Sequence, residues 1–179
     1  AIAKAMFELG AKTTLVSGPT SIPDPIGPKI IKVKSASEMF DVCETLLPAD
    51  IAICAAAVGD YKISNSSSEK IKKSGNKISI ELEENPDILS RISKRNSKRP
   101  KLVIGFAAET ENLILNAELK LKEKGCDWIL ANDISSGEVI GKDENKIHFI
   151  SHDEKTEWNT MSKNDVAKKL SNKIANYFV

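Results

Sequence analysis

The amino-acid sequence predicts an α/β fold: an open, mostly parallel sheet with helices on both faces and a small antiparallel extension near residues 62–84. Two apolar runs, Asp50–Val58 and Leu102–Phe106, have the continuous character of strands buried on both faces of a parallel sheet. Segments with helical periodicity alternate with such runs, as in a sheet wound by crossover helices. Between the two runs the rhythm breaks. Lys62–Gly75 is polar and rich in Ser and Lys, and Ile78–Leu82 alternates like a strand with one exposed face.

The elements follow in order. AIAKAMFELG places Ile2, Ala5, Met6 and Leu9 on one helical face, with Gly10 as a C-terminal stop. Thr13–Val16 reads as a short strand, and the prolines and glycines of Ser17–Pro28 exclude regular structure. Ile30–Val33 is a second strand. Ser35-Ala36-Ser37-Glu38 has the capping-box pattern and opens a helix through Leu47, with Met39, Val42, Cys43 and Leu46 facing inward. The run Asp50–Val58 leads into Gly59-Asp60-Tyr61, at the carboxyl edge where open α/β sheets bind their ligands. Asn85-Pro86-Asp87 starts a helix, with Asn85 as N-cap and Pro86 at the first helical position. After Leu102–Phe106 come a helix over Asn112–Lys124 and a strand Trp128–Ala131 ending at Asn132-Asp133. A hairpin of Lys146–Ile150 with Lys155–Trp158 and a closing helix from Lys163 to about Tyr177 complete the chain. No internal repeat and no dividing linker is visible, so residues 1–179 read as one domain. The first helix is entered at Ala1 with no capping residue before it. The expectation is an N-terminally incomplete domain, lacking a strand and its phosphate-facing loop.

Composition narrows the function. The 26 basic and 25 acidic residues of the 179 give a formal charge of +1, so bulk attraction to nucleic acid or membrane is not the organising principle. The basic stretch Lys94–Lys101 has no interleaved aromatics and reads as a solvated helix face. Cys43, Cys54 and Cys126 are odd in number and dispersed. With only His148 and His152 as histidines, they argue against a disulfide framework or zinc site and fit a reducing cytoplasm. No run approaches the roughly 18 apolar residues of a membrane span, and no signal peptide is visible.

The sequence contains neither GxGxxG nor GxxxxGK, so candidate chemistry falls to strand-end polar residues and lysines. Asp60 is either a turn carboxylate or a group that holds a ribose hydroxyl, a base amine or a magnesium ion. Glu69-Lys70-Ile71-Lys72-Lys73 is either a solvated charge run or a clamp whose ammonium groups neutralise a leaving pyrophosphate. The helix start at Asn85-Pro86-Asp87-Ile88 is able to bind an anion through free N–H groups, or is an ordinary helix start. Phe106 ends a buried strand, as core or as stacking platform. Lys120 and Lys124 share one helix face, toward phosphate or toward water.

Taken together, Leu15-Val16-Ser17-Gly18-Pro19-Thr20, Ala55-Ala56-Ala57-Val58-Gly59-Asp60-Tyr61, Glu69–Lys73, Asn85–Ile88, Gly105-Phe106-Ala107-Ala108-Glu109-Thr110 and Ala131-Asn132-Asp133 form six motifs in order. In these the chain resembles phosphopantothenate–cysteine ligase, which in bacteria is commonly fused behind a flavin-dependent decarboxylase. The resemblance implies a Rossmann-like fold, CTP as co-substrate and Mg2+ (or Mn2+) as cofactor, with metal ligands unassigned. It implies 4'-phosphopantothenate and L-cysteine as partners in a cytoplasmic homodimer, whose contact uses the 62–84 extension. The reaction implied has two steps: the pantothenate carboxylate attacks the α-phosphorus of CTP and releases pyrophosphate, and the cysteine amine then displaces CMP from the acyl-cytidylate. By position, Lys70 is the catalytic flap lysine. Cys54, Ala55, Ala56, Ala57, Asp60, Asn85, Pro86, Asp87, Ile88, Phe106, Lys120 and Lys124 border the nucleotide. Gly59 stands where many relatives have alanine, and the family's leading strand, Gly- and Ser-rich loop and asparagine have no counterpart before Ala1.

Two rival readings remain open at this point. A nicotinamide-dependent reductase on a similar sheet fits the fold, although hydride transfer needs no lysine-rich triphosphate clamp. A non-catalytic remnant fits it equally.

Overall fold

In the computed structural model, residues 1–65, 77, 79–109, 111–133 and 144–179 are described. The expected flap, Glu69–Lys73 with Lys70, lies outside the described residues, as do Ile78 and Thr110. The element order is α1 (Ile2–Glu8), β1 (Thr14–Ser17), β2 (Lys29–Lys32), α2 (Ala36–Thr45), β3 (Ile51–Cys54), β4 (Tyr61–Ile63), β5 (Leu82–Glu84) and α3 (Ile88–Ser93). It continues with β6 (Leu102–Glu109), α4 (Leu113–Lys124), β7 (Trp128–Asp133), β8 (Glu144–Asn145), β9 (Ile147–Ser151), β10 (Lys155–Glu157), β11 (Met161–Ser162) and α5 (Lys163–Tyr177).

The central sheet has five strands in the order β10-β9-β7-β6-β3. β3, β6 and β7 are mutually parallel, and β9 and β10 add on antiparallel. β1 and β2 form a separate parallel pair, and β4 with β5 a separate antiparallel ribbon in which Ile63 faces Leu82. The sheet alternates strictly between two cores. Leu102, Ile104, Trp128, Leu130, Ile147 and Phe149 face α1 and α5, where Met6, Val166, Leu170 and Ile174 close over them. Val103, Ala107, Ile129, Ala131 and Ile150 face Ile88, Leu89 and Ile92 of α3 and Ala117 of α4, with α2 packed at the margin. Each fully buried Leu, Ile or Phe in these layers contributes about 1.5–3 kcal/mol.

Five expectations need correction. The strand expected over Asp50–Val58 stops at Cys54, its residues only half-buried, and Ala55–Ala57 are exposed. Among the described residues β3 pairs with β6, and its apolar run outlasts the pairing. The strand expected over Ile78–Leu82 is instead Leu82–Glu84, because pairing with Tyr61–Ile63 sets its register. The helix expected to start from Asn85 begins two residues later. Asp87 is its N-cap, accepting from the Ser90 N–H at 3.0 Å, while the Asn85 amide is engaged elsewhere. Leu9, expected to face inward, is 52% exposed, whereas Ala5 and Met6 of the same helix are buried. The helix expected through Leu47 ends at Thr45, capped as expected by Ser35, which accepts from the Glu38 N–H at 3.1 Å.

Candidate functional site

The site is built where β3 ends. Beyond Cys54 the chain turns through Ala55–Ala57, and Val58 dips back against the α3/α4 core. Gly59 and Asp60 then lead into β4. The turn is fastened to the start of α3 by Asn85, whose backbone N–H donates to Asp60 O at 2.8 Å and whose Nδ2 donates to Gly59 O at 2.8 Å. A Cβ at Gly59 would meet only Tyr61 O at 3.8 Å, so the turn has room for an alanine there.

Two residues past Asn85, the Asp87 carboxylate divides its oxygens between two donors. Oδ1 takes the Ser90 N–H, and Oδ2 takes Lys124 Nζ at 2.6 Å. Burial pushes the Asp87 carboxyl upward, but the Lys124 ammonium and the Ser90 N–H outweigh it and hold the group below its usual range. Lys124 moves the other way. Its bond to Asp87 raises it against a smaller desolvation, helped by the charges of Asp87, Asp60 and Glu123. Asp60, Asp87 and Lys124, drawn from three segments of the chain, thus share one electrostatic neighbourhood.

Beneath them lie the cysteines, dispersed in sequence but gathered in the fold. All three are free and belong to or pack against the same core. Burial pushes Cys54 up to about 12, with Cys43, Cys126 and Asp87 adding to it, and pushes Cys126 up to about 11. At neutral pH both thiols are protonated and poor nucleophiles. Cys54 therefore serves as a wall of the site.

The other expected residues divide. Ile88 is buried among the apolar side chains of α3, so only its backbone is open to a ligand. Pro86 is half-buried between Asn85 and the cap. Lys120 lies one turn before Lys124 and is half-buried on α4. Phe106 is half-buried against the α1/α5 core, on the sheet face opposite Cys54, so the two can meet one ligand only around the sheet's carboxyl edge. Among the described residues no group of three or more His, Cys, Asp or Glu side chains converges to hold a metal ion. No helix among them is long and apolar enough to cross a membrane.

Two features were not selected from the sequence. Asn132, next to the last residue of β7, has a buried Oδ1 with no hydrogen-bond partner among the described residues. The motif Ala131-Asn132-Asp133 was its signal, and only the fold marks the amide as an unfilled acceptor. An open concavity of about 500 Å³ is lined by Asn112, Leu113, Ile114, Leu115, Asp133, Lys146 and His148, where α4 begins beside β7 and β9. No local pattern joins residues so far apart in the chain.

Sheet order, helices on both faces and a polar turn at the carboxyl edge define an α/β protein of the Rossmann-like class. The chain belongs to the family described as DNA/pantothenate metabolism flavoprotein C-terminal domain, whose profile matches residues 1–178. It is 40% identical over 175 residues to the coenzyme A biosynthesis bifunctional protein CoaBC of Haemophilus influenzae, a match covering 97% of this chain and 44% of that protein. The chain thus spans less than half the length of that relative. The crystal structure of a CoaBC C-terminal domain superposes with a TM-score of 0.78 at 30% identity, covering 99% of this chain and 80% of that one. A Cab2 variant solved in complex with phosphopantothenate-cysteine shares the fold, with a TM-score of 0.60 at 14% identity over 86% of this chain and 56% of that one.

Proposed function

We propose that this chain carries the phosphopantothenate–cysteine ligase activity of coenzyme A biosynthesis, using CTP through an acyl-cytidylate. The observation that carries the reading is the family match over residues 1–178, which contains every motif that borders the candidate site. The relatives are named for coenzyme A biosynthesis, and a structural neighbour was solved with phosphopantothenate-cysteine. Both support the substrate pair.

In this reading the turn Cys54–Ala57 and Asp60 border the nucleotide together with Pro86, Asp87 and the backbone of Ile88. Lys120 and Lys124 supply positive charge from α4, and Phe106 and Asn132 bound the ligand from the other side of the sheet edge. Lys70, on the flap, meets the triphosphate. The enzyme brings two anions together, a carboxylate and an α-phosphate. Ammonium groups that offset this repulsion, and a turn that aligns the reactants, account for most of the work. The described residues do not form a protein cage for a divalent ion, but a magnesium that stays mostly with the triphosphate needs only one or two carboxylates. Asp60 fits that role. When bound, the ion neutralises charge on the departing pyrophosphate.

The assembly we propose is a homodimer. Tyr61, Ile63, Ile80 and Leu82 are 59%, 51%, 63% and 60% exposed, and Ile63 and Leu82 stand opposite each other on the β4/β5 ribbon. An isolated two-stranded ribbon with an uncovered apolar face is marginally stable, and a second copy would cover it.

The test is pyrophosphate release by the full-length protein given magnesium, CTP and phosphopantothenate before any cysteine is added. Cysteine should then release CMP with the amide product. NADPH binding without CTP-dependent pyrophosphate release would overturn the reading in favour of a reductase.

A further inference from the structure

The turn that carries Asp60 is open to solvent along most of its length. Ala55–Ala57 and Gly59–Asp60 are exposed, and only Val58 reaches the core. Such a turn does not hold a carboxylate in place by packing. What it has instead is Asn85, which takes two successive carbonyls of the turn, Gly59 O through Nδ2 and Asp60 O through the backbone N–H, each at 2.8 Å. A carbonyl accepts only from the NH2 side of an amide, so the orientation of the Asn85 side chain is fixed and its donor is directed at the turn.

Asn85 is itself well anchored. Pro86 restricts its backbone. Asp87 caps α3 immediately afterwards, and Ile88, Leu89 and Ile92 bury that helix in the α3/α4 core. The chain of contacts therefore runs from the core, through α3, to Asn85 and on to the carbonyl of Asp60. Among the described residues nothing comparable fastens the turn from the other side: Val58 N–H bonds within the turn, to Ala56 O at 3.1 Å.

We propose that Asn85, which the resemblance places at the border of the nucleotide, is a positioning residue that sets the Asp60 carboxylate for the reaction by gripping the Gly59–Asp60 turn. The assignment rests on the ligase reading and on Asp60 acting in it. Loss of the side-chain grip frees the turn to move by an ångström or so, enough to cost about tenfold to a hundredfold in rate. The backbone bond from Asn85 survives any substitution other than proline, so the fold around α3 is retained.

The experiment is a double-mutant cycle in the full-length protein, read as kcat for pyrophosphate release from CTP and phosphopantothenate, with thermal unfolding followed in parallel. Asn85→Ala should lose about tenfold to a hundredfold in kcat while melting close to wild type. Combined with Asp60→Asn, it should be no slower than Asp60→Asn alone, because its effect passes through Asp60. Asn85→Asp is isosteric, places an acceptor against Gly59 O, and should repeat the loss. It replaces alanine in the cycle if that variant does not fold. Losses that multiply in the double variant would overturn the assignment while leaving the ligase reading intact, as would wild-type rates in both Asn85 variants. A wild-type protein that releases no pyrophosphate would overturn both together.

Discussion

Replacing Lys70 by glutamine tests a residue whose role rests on family position alone. If its ammonium meets charge that develops on the triphosphate, its loss costs about two to three orders of magnitude in pyrophosphate release. Lys72→Gln and Lys73→Gln should cost far less, since loss from a solvated charge run is nearly silent. Equal losses in all three would indicate diffuse attraction instead of a placed group. Asp87 offers a different test, through pH. Its carboxyl is held below the usual range in the folded state by Lys124 and the Ser90 N–H, which outweigh burial. A depressed carboxyl contributes stability above the unfolded value, and that contribution is lost as pH falls through the folded value. Asparagine at this position still caps α3 but lacks the charge. Asp87→Asn should therefore be less stable than wild type at neutral pH, by no more than about 1 kcal/mol because both partners are about a third or more exposed. The gap should close as pH falls below about 4, the usual aspartate range. Denaturant melts at a series of pH values will read it, and a gap that widens in acid would refute the pair's role.

At the scale of elements, α3 lies so close to the sheet that a side chain at Gly105 would force Leu89 and Ile129 to shift. A Cβ would come within 2.6 Å of Leu89 Cδ2 and 2.8 Å of Ile129 Cδ1. Gly105→Ala should push α3 outward and cost about 1–3 kcal/mol, seen as a lower urea midpoint. Because α3 carries Asn85 and Asp87 at its entrance, the same variant should weaken catalysis beyond its loss of stability. Wild-type stability in Gly105→Ala would mean that α3 adjusts freely. The opposite end of the element is held by polar contacts. Arg99 binds Ser93 O, Pro100 O, Gly125 O and the Asp127 carboxylate, and Asp127 accepts from the Val103 N–H at 2.6 Å. That cluster ties the turns before β6 and β7 together, so α3 is fixed at both ends.

For the whole molecule, the exposed face of the β4/β5 ribbon sets the expectation of a dimer. Sedimentation velocity of the full-length protein should show a dimer, and Leu82→Glu should shift it toward monomer with little change in melting temperature. A wild-type monomer at high concentration would remove the second copy from the functional reading. The uncovered Leu82 lies on the segment that also leads to Asn85, so assembly and site geometry should vary together in that variant.

Much of this was readable along the chain because its causes are local. The Ser35 capping box specified α2, and the strand β6 declared itself by its apolar run, while the Ser162 cap that opens α5 was seen in the fold. The glycine C-cap at Gly125, at φ +71, closed α4 where the sequence placed its end. Asp60 was legible as a candidate because a carboxylate just past an apolar strand has few other places to be. What the residues alone could not decide were pairings between distant segments. Lys124 and Asp87 are 37 positions apart and Asn85 and Gly59 are 26 apart, and neither bond leaves a local pattern. The same limit explains Asp50–Val58: an apolar run announces a strand, but how far it pairs depends on which neighbour the sheet supplies, and among the described residues β3 pairs with β6 over Ile51–Cys54. It explains Phe106 and Cys54 as well, since the face a residue takes follows from sheet register. Sequence set the elements and their chemistry because propensity and capping act within a few residues. Tertiary structure decided which of those chemical groups meet, because only packing brings remote segments within hydrogen-bond reach.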